Sequence, residues 1–501
     1  MLDTILGALQ NLCAWQVLLF INLGMAIGII FGALPGLSAT MGVCLFLPMT
    51  FTMEPVDAII FLCALYCGGI YGGSITAILI NTPGSPAAVA TSLDGYPLAV
   101  AGHASKALDT ALIASTVAGI ISALMLIFFA PQLAQAALKF GAAERFALAL
   151  FGLSIIVILS SKNIFKGLIS ASIGLFISCV GLDSVDGFAR FSFGVKDLVS
   201  GFDIIPVLVG LFAISEILDK VTRGNEIVNI KFKITKEHMT WAEFKSCAKD
   251  IIKSSLIGTI IGAIPGTGAT TSTLLSYSEA QRSSKHPEQF GKGCLNGVAA
   301  AEAGNNGVTG ATLIPTLTLG IPGDTITAVL LGALTMQGLT PGPMLFKTQG
   351  TLMYTIMIGM VVINIFMLLQ GKVFMRLFIN ILRVPALLLS AVLVCMCVVG
   401  AFTVNNTIFD VLVMLAFGAV GYLFKRLDIP MVPLILGVVL GSMAESNLRR
   451  ALTISGSDWS VLFTRPISCV FIIISALIIF SPLLRKLFSS IKAKKVKNSD
   501  V

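Results

Sequence analysis

Charge is what this sequence has least of. Of its 501 residues only 12% are Asp, Glu, Lys or Arg, against roughly 25% in a soluble globular protein. With 56% hydrophobic residues and a mean hydropathy of +0.94, a water-soluble fold is excluded. Histidine is nearly absent as well: His103, His238 and His286 all fall in predicted loops, which excludes a Ser-His catalytic arrangement. The ten cysteines stand singly without a CxxC pair or clustered histidines, so metal ligation lacks its pattern. Cys44, Cys63, Cys179 and Cys395 read as small hydrophobes within apolar runs. A basic face of the kind that binds nucleic acid is also missing. The net charge of +8 resides in two stretches, 219–253 with eight basic against five acidic residues and 485–501 with six against one, leaving nineteen of each sign elsewhere. No Lys or Arg precedes the first apolar run and no small-residue cleavage site follows it, so the first helix is expected to stay rather than act as a removable signal.

Apolar runs near the length of a membrane span recur at 16–33, 57–80, 108–130, 145–160, 164–182, 203–218, 350–370, 384–403, 406–424, 430–445 and 466–484. They predict an all-α polytopic membrane protein with roughly 10 to 14 transmembrane helices. Lys and Arg accumulate in cytoplasmic loops, which places 219–253 and the basic tail 485–501 inside, together with Lys162, Lys166, Lys372, Arg376, Arg383, Lys425 and Arg426. Asp183, Asp186 and Asp197 then lie outside, and Arg449, Arg450 and Arg465 are exceptions stranded there. The expected organisation is a first transmembrane repeat at 1–218, a polar linker at 219–253, a second repeat with its following helices at 254–484, and the tail.

The repeat is visible in the residues. Gly24-x3-Gly28-x3-Gly32-Ala33-Leu34-Pro35-Gly36 in the first half matches Gly258-x3-Gly262-Ala263-Ile264-Pro265-Gly266 in the second. Small residues four apart let helices pack closely in lipid, but Leu/Ile-Pro-Gly does something else, because it breaks a helix inside an apolar stretch. A second break follows in each half, at Asn81-Thr82-Pro83-Gly84-Ser85-Pro86 and at Gly320-Ile321-Pro322-Gly323-Asp324. Irregular backbone at membrane depth survives only when buried in protein or lining a watery cavity. Paired breaks in two halves, expected here as an inverted repeat, point to a transporter site near the bilayer midplane, where half-helix N-termini attract anions and carbonyls hold cations.

Candidate substrate contacts are therefore the residues beside the breaks: Ser38, Thr40, Asn81, Thr82, Ser85, Thr267, Thr270, Thr271, Asn305, Asn306, Asp324 and Thr325. Helix capping accounts for the Ser, Thr and Asp positions equally well, and turn formation for Asn81. The adjacent amides of Asn305 and Asn306 need partners in an apolar setting. Glu302 and Asp324 are the acids beside the broken motifs and are candidates for coupling to an ion. No Lys or Arg lies near a break in sequence, so attraction for an anion has to come from backbone dipoles and bound cations, or from an arginine brought in by folding.

Four stretches together carry a resemblance: 32–51 (GALPGLSATMGVCLFLPMTF), 68–99 (GGIYGGSITAILINTPGSPAAVATSLDGYPLA), 262–293 (GAIPGTGATTSTLLSYSEAQRSSKHPEQFGKG) and 297–324 (GVAAAEAGNNGVTGATLIPTLTLGIPGD). The sequence resembles the large membrane subunit of the tripartite tricarboxylate transporters over most of its length, least after about Leu345. It departs from that family at Ser38, Ala301 and Asn296, where glycine, proline and glutamate are common. The resemblance implies a secondary transporter that imports carboxylates across the bacterial inner membrane on a sodium or proton gradient. It also implies two partners, a small membrane subunit and a periplasmic solute-binding protein, and no cofactor beyond the coupling cation.

Other classes fit less well. Gly323-Asp324 matches the pair used by intramembrane aspartyl proteases, but that chemistry needs a second carboxylate, and Asp109 and Asp410 read as helix-start residues. A channel would favour a continuous polar pore over discrete breaks. The membrane subunit of a different binding-protein-dependent carrier is the nearer alternative.

Overall fold

The structure is a computed structural model that describes residues 2–34, 37–159, 163–183, 186–223, 237–381 and 386–480, with side chains for all of these except 156–159, 223, 374–381 and 386–389. Pro35, Gly36, Lys162, Arg383, the Arg376 side chain and the basic tail 485–501 lie outside the described residues. The chain is helical almost throughout. In order, the helices are α1 (Leu2–Cys13), α2 (Trp15–Ala33), α3 (Ala39–Phe46), α4 (Pro55–Ile80), α5 (Val89–Leu98), α6 (Ala104–Ala137), α7 (Ala142–Leu159), α8 (Ile164–Ser178), α9 (Ile204–Leu208) and α10 (Ser215–Arg223). There follow α11 (Trp241–Gly262), α12 (Gly268–Ser283), α13 (Leu295–Ala311), α14 (Leu313–Leu319), α15 (Thr325–Met336), α16 (Pro343–Thr348), α17 (Gly350–Ile381), α18 (Ala386–Asn405), α19 (Ile408–Arg426), α20 (Val432–Ile454) and α21 (Val461–Thr464). Among the described residues five helical stretches are long and apolar enough to cross a membrane: Trp15–Ala33, Pro55–Ile80, Pro86–Ala137, Gly350–Val373 and Ile408–Arg426.

The chain forms two compact units, one of Met1–Leu138 with Asp203–Leu427 and one of Lys139–Phe202 with Asp428–Val501. In the first unit both glycine motifs do the same work. Gly24, Gly28 and Gly32 of α2 face the carbonyls of Phe61, Leu65 and Gly69 on α4, so closely that a Cβ on Gly32 would lie 2.1 Å from the Gly69 oxygen. In the second half Gly258 of α11 faces the carbonyl of Gly304 on α13, where a Cβ would come within 2.9 Å, and Gly262 packs on Val308 and Ala311. Backbone-to-backbone contact of this kind is how helices associate where lipid removes the hydrophobic drive. The helix after each first break folds back on the same partner, α3 onto α4 and α12 onto α13. Tyr66 of α4 lies beside Thr312 and Ser74 beside Glu302. As residue numbers fall along α4 they rise along its neighbour, so the corresponding helices α4 and α13 run antiparallel, as an inverted repeat requires.

Several expectations shift. Asp109 lies one turn inside α6 and not at its first residues: after a π-helical turn at Ala99–His103 the helix is interrupted by a kink at Gly102 (φ 93°), and α6 starts at Ala104. The buried Asp109 carboxylate accepts the Met239 N–H at 3.0 Å and pairs with Lys372. His103 likewise sits in that helical turn rather than a loop, and it holds the carboxyl of exposed Glu237 below its usual range. Asp410 is in the first turn of α19, beneath the Thr407 cap. Cys44 and Cys63 are buried, while Cys179 is half-buried and Cys395 exposed. Helix also occupies both ends of the polar stretch 219–253, through α10 and through α11, which opens on a capping box of Thr240 with Glu243.

In the second unit α8 packs on α20, with Gly174 against the Leu434 carbonyl and Gly441 against Ser178. A short hairpin, β1 (Gly181–Leu182) with β2 (Ala189–Arg190), follows α8. Here two of the three stranded arginines find partners: Arg449 reaches Asp183 at 2.9 Å and Asp186 at 2.8 Å, and Arg465 reaches Glu144 at 3.4 Å. The charges of Arg449 and Arg465 are thus met by acids of the same unit.

Candidate functional site

Three of the four breaks lie wholly within the described residues, and the fourth is bracketed by the end of α2 at Ala33 and the start of α3 at Ala39. Within each half the two breaks meet. Gly84 of the second break lies against the Gly32 carbonyl at the end of α2, and the Gly266 N–H donates to the Gly323 carbonyl at 2.8 Å. The second breaks also share their backbone path. Asn81 and Gly320 end their helices in the left-handed region (φ 54° and 69°), Pro-Gly follows, and Ser85 and Asp324 are extended residues that open the next helix. Glycine enters that region freely and asparagine more readily than most residues, so the turn-forming reading of Asn81 stands beside its exposure.

The predicted residues divide. Ser38 caps α3 by accepting the Met41 N–H at 3.2 Å, with Thr40 half-buried in the first turn. Asp324 caps α15: its Oδ1 accepts the Thr327 N–H at 2.7 Å and hydroxyl at 2.8 Å, and its Oδ2 accepts the Tyr66 hydroxyl at 2.7 Å. Thr325 is half-buried beside it. Thr267 does not cap α12; its hydroxyl donates to the carbonyls of Ile261 and Ile264 and closes the end of α11. Thr270 is half-buried, whereas Thr82 and Thr271 are exposed. Pro83, Gly84, Pro265 and Gly266 are half-buried, and Pro322 and Gly323 are buried.

Glu302, Asn305 and Asn306 are fully buried on α13. The Glu302 carboxylate accepts hydroxyls from three elements of the first half: Ser74 on α4 at 2.6 Å, Thr91 on α5, and Ser115 on α6 at 2.9 Å. Asn306 Nδ2 donates to Ser115 Oγ at 2.8 Å. Lys106 on α6, Lys253 on α11 and Lys372 on α17 are engaged elsewhere, with Glu243, Glu279 and Asp109 respectively. No ion pair to Glu302 or Asp324 occurs among the described residues.

A buried polar atom without a partner marks a place for water or a ligand. Among the described residues nine such side-chain atoms occur, and six belong to Tyr71, Ser85, Ser276, Asn305 and Asn306, that is, to α4, the second break, α12 and α13. Both polar atoms of Asn305 are among them, which costs on the order of 1–3 kcal/mol per unsatisfied group. Sequence reasoning found Ser85, Asn305 and Asn306 but missed Tyr71 and Ser276. It also missed Ser74, Thr91 and Ser115, whose common partner is set only by helix packing, and Asp94. That buried carboxylate accepts the Tyr277 hydroxyl at 2.8 Å and the N–H groups of Gly293 and Cys294 at 2.9 and 2.8 Å, tying α5 to α12 and to the start of α13. An acid inside the apolar block 68–99 was its one visible signal.

Fold and site together define a polytopic helical membrane protein with paired broken helices around buried polar groups, the build found in membrane carriers. Residues 18–436 match the tripartite tricarboxylate transporter TctA family, and the chain belongs to that family of transporter membrane subunits. A protein of Agrobacterium vitis named "Uncharacterized 52.8 kDa protein in TAR-I ttuC' 3'region" is 37% identical over 446 residues, covering 89% of each chain. A second from the same organism, "Uncharacterized protein in TAR-II ttuC' 3'region", is 36% identical over 211 residues, 42% of this chain and 87% of its own. No solved structure matches.

Proposed function

We propose that the protein is the large membrane subunit of a carboxylate importer of the bacterial inner membrane, a symporter that accumulates di- or tricarboxylates on an ion gradient. It works with a small membrane subunit and takes its substrate from a periplasmic solute-binding protein, with the stretch 219–253 and the C-terminal tail on the cytoplasmic side. The observation that carries the reading is the set of six orphaned polar atoms on α4, α12, α13 and the second break of the first half. An anion there is met by hydroxyls and by the N-terminal end of the helical segment that starts after Ser85, which has no side-chain cap of its own. Such helix ends favour negative charge. Asn305 Nδ2, Ser276 Oγ and Tyr71 Oη supply further donors. The ordered caps of α3 and α15 hold the surrounding backbone, and the two antiparallel halves rock around the site near the bilayer midplane.

Uptake into liposomes tests this. Purified protein with its small subunit is expected to accumulate labelled citrate or another di- or tricarboxylate only when a binding protein and a proton or sodium gradient are supplied. Accumulation without any imposed gradient would overturn the symport reading.

A further inference from the structure

Among the described residues, every side chain hydrogen-bonded to the Glu302 carboxylate is a hydroxyl. Oε1 accepts Ser74 and Thr91 and Oε2 accepts Ser115, which leaves one acceptor position open on Oε2. The titratable groups on the helices packed against α13 are turned to other partners. Tyr66 faces Asp324, Asp94 faces Tyr277, Asp250 and Cys247 face Asn296, Lys253 and Arg282 face Glu279, and Lys106 faces Glu243. On α13 itself the polar atoms of Asn305 and Asn306 Oδ1 are left without partners, and Asn306 Oδ1 belongs to the amide whose nitrogen holds Ser115.

An ionised carboxylate removed from water with no counter-charge is strongly disfavoured. Either a metal cation or a proton relieves it. Hydroxyls serve a proton better, since each is donor and acceptor and turns without moving the backbone. Around the anion the chain reads Asn306 N–H to Ser115 O–H to Glu302. Once Glu302 is protonated, its O–H donates to Ser115 Oγ, Ser115 turns its own O–H outward, and a half-turn of the Asn306 amide brings Oδ1 to receive it. The orphaned oxygen is thus the acceptor the neutral state requires. A metal ion would have to turn all three hydroxyls, which here point their hydrogens at the carboxylate.

We propose that Glu302 is the proton-carrying site of the protein and that the ion coupled to transport is a proton. In the step, hydronium arriving through water gives a proton to Glu302 Oε2, at its open acceptor position, and leaves as water. One O–H bond breaks and one forms at each transfer, and the net change is one proton from solvent to the carboxylate. The coupling half of this rests on the carrier reading above; the proton site does not.

Infrared difference spectroscopy on the full chain in lipid nanodiscs, titrated from mildly alkaline to mildly acid buffer with and without sodium chloride, tests it. The expected result is a carboxylic C=O band that grows with acid, ignores sodium and is missing in Glu302→Gln. Ser115→Ala, which removes the hydroxyl on Oε2, should shift the band. Absence of the band, or carboxylate bands that answer to sodium instead of pH, would overturn the proposal. In liposomes Glu302→Gln should retain citrate counterflow and lose accumulation driven by a pH gradient. If wild-type protein moves no di- or tricarboxylate yet shows the band, the carrier reading fails and the proton site stands.

Discussion

Ser85 and Asp324 occupy corresponding places in the two halves, each after a left-handed residue and a Pro-Gly pair, each extended and each opening a helix. Their side chains do opposite things. Asp324 has both oxygens filled, by Thr327 and by Tyr66, whereas Ser85 Oγ has no partner at all. The repeat has kept the backbone break in both halves and divided the labour between them. In the second half the cap is structural, fixing α15 against α4; in the first it is left open, and an open donor at a helix start is a place for an anion. A carboxylate at Asp324 would also repel the proposed substrate, which argues against the direct substrate contact that its position beside a break suggests.

Substitutions that exchange the two roles should have the largest effects. Ser85→Asp puts a negative charge where the anion is proposed to sit and should reduce citrate uptake about a hundredfold or more, since like charges at such a site cost several kcal/mol; Ser85→Ala should reduce it about tenfold, one hydrogen bond's worth, with no change in thermal stability. Next, Asp324→Ala should lower unfolding stability by about 2–3 kcal/mol through loss of a cap and of the Tyr66 bond, read as a lower Tm in detergent. Asp324→Ser should restore most of the stability and keep transport. Asn305→Ala should behave in the reverse sense. By removing an unsatisfied buried amide it should leave stability unchanged or raise it by about 1 kcal/mol, while uptake falls. The smallest effect belongs to the turn: Asn81→Gly should be neutral and Asn81→Ala should cost about 1 kcal/mol for its positive φ. Uptake surviving intact in Asn305→Ala with stability lost would mean that the amide is a packing residue.

Legibility in the sequence followed local chemistry. Apolar runs marked α2, α4, α6 and α17 because length and composition alone define a span. The helices α11 to α13 are rich in Gly, Ser, Ala and Thr, and they are helical because they lie between other helices, so hydropathy scarcely marks them. Pro-Gly located the breaks, since the backbone consequence of that pair does not depend on surroundings. What each neighbouring side chain does was not legible. Thr267 turned back to α11 and Ser38 to its own helix, while Glu302 acquired partners 187 to 228 residues away. Capping and ligand binding use the same residue types, and only the presence of a filled or an empty partner separates them.

The central claim is that the first half's second break holds the substrate and the second half's does not. Equilibrium binding of labelled citrate, or of whichever di- or tricarboxylate the wild type accumulates, to purified Ser85→Ala and Asp324→Ser measures it directly. The account predicts binding weakened about tenfold in the first and unchanged in the second. Full binding by Ser85→Ala, with loss in Asp324→Ser at unchanged Tm, would contradict it.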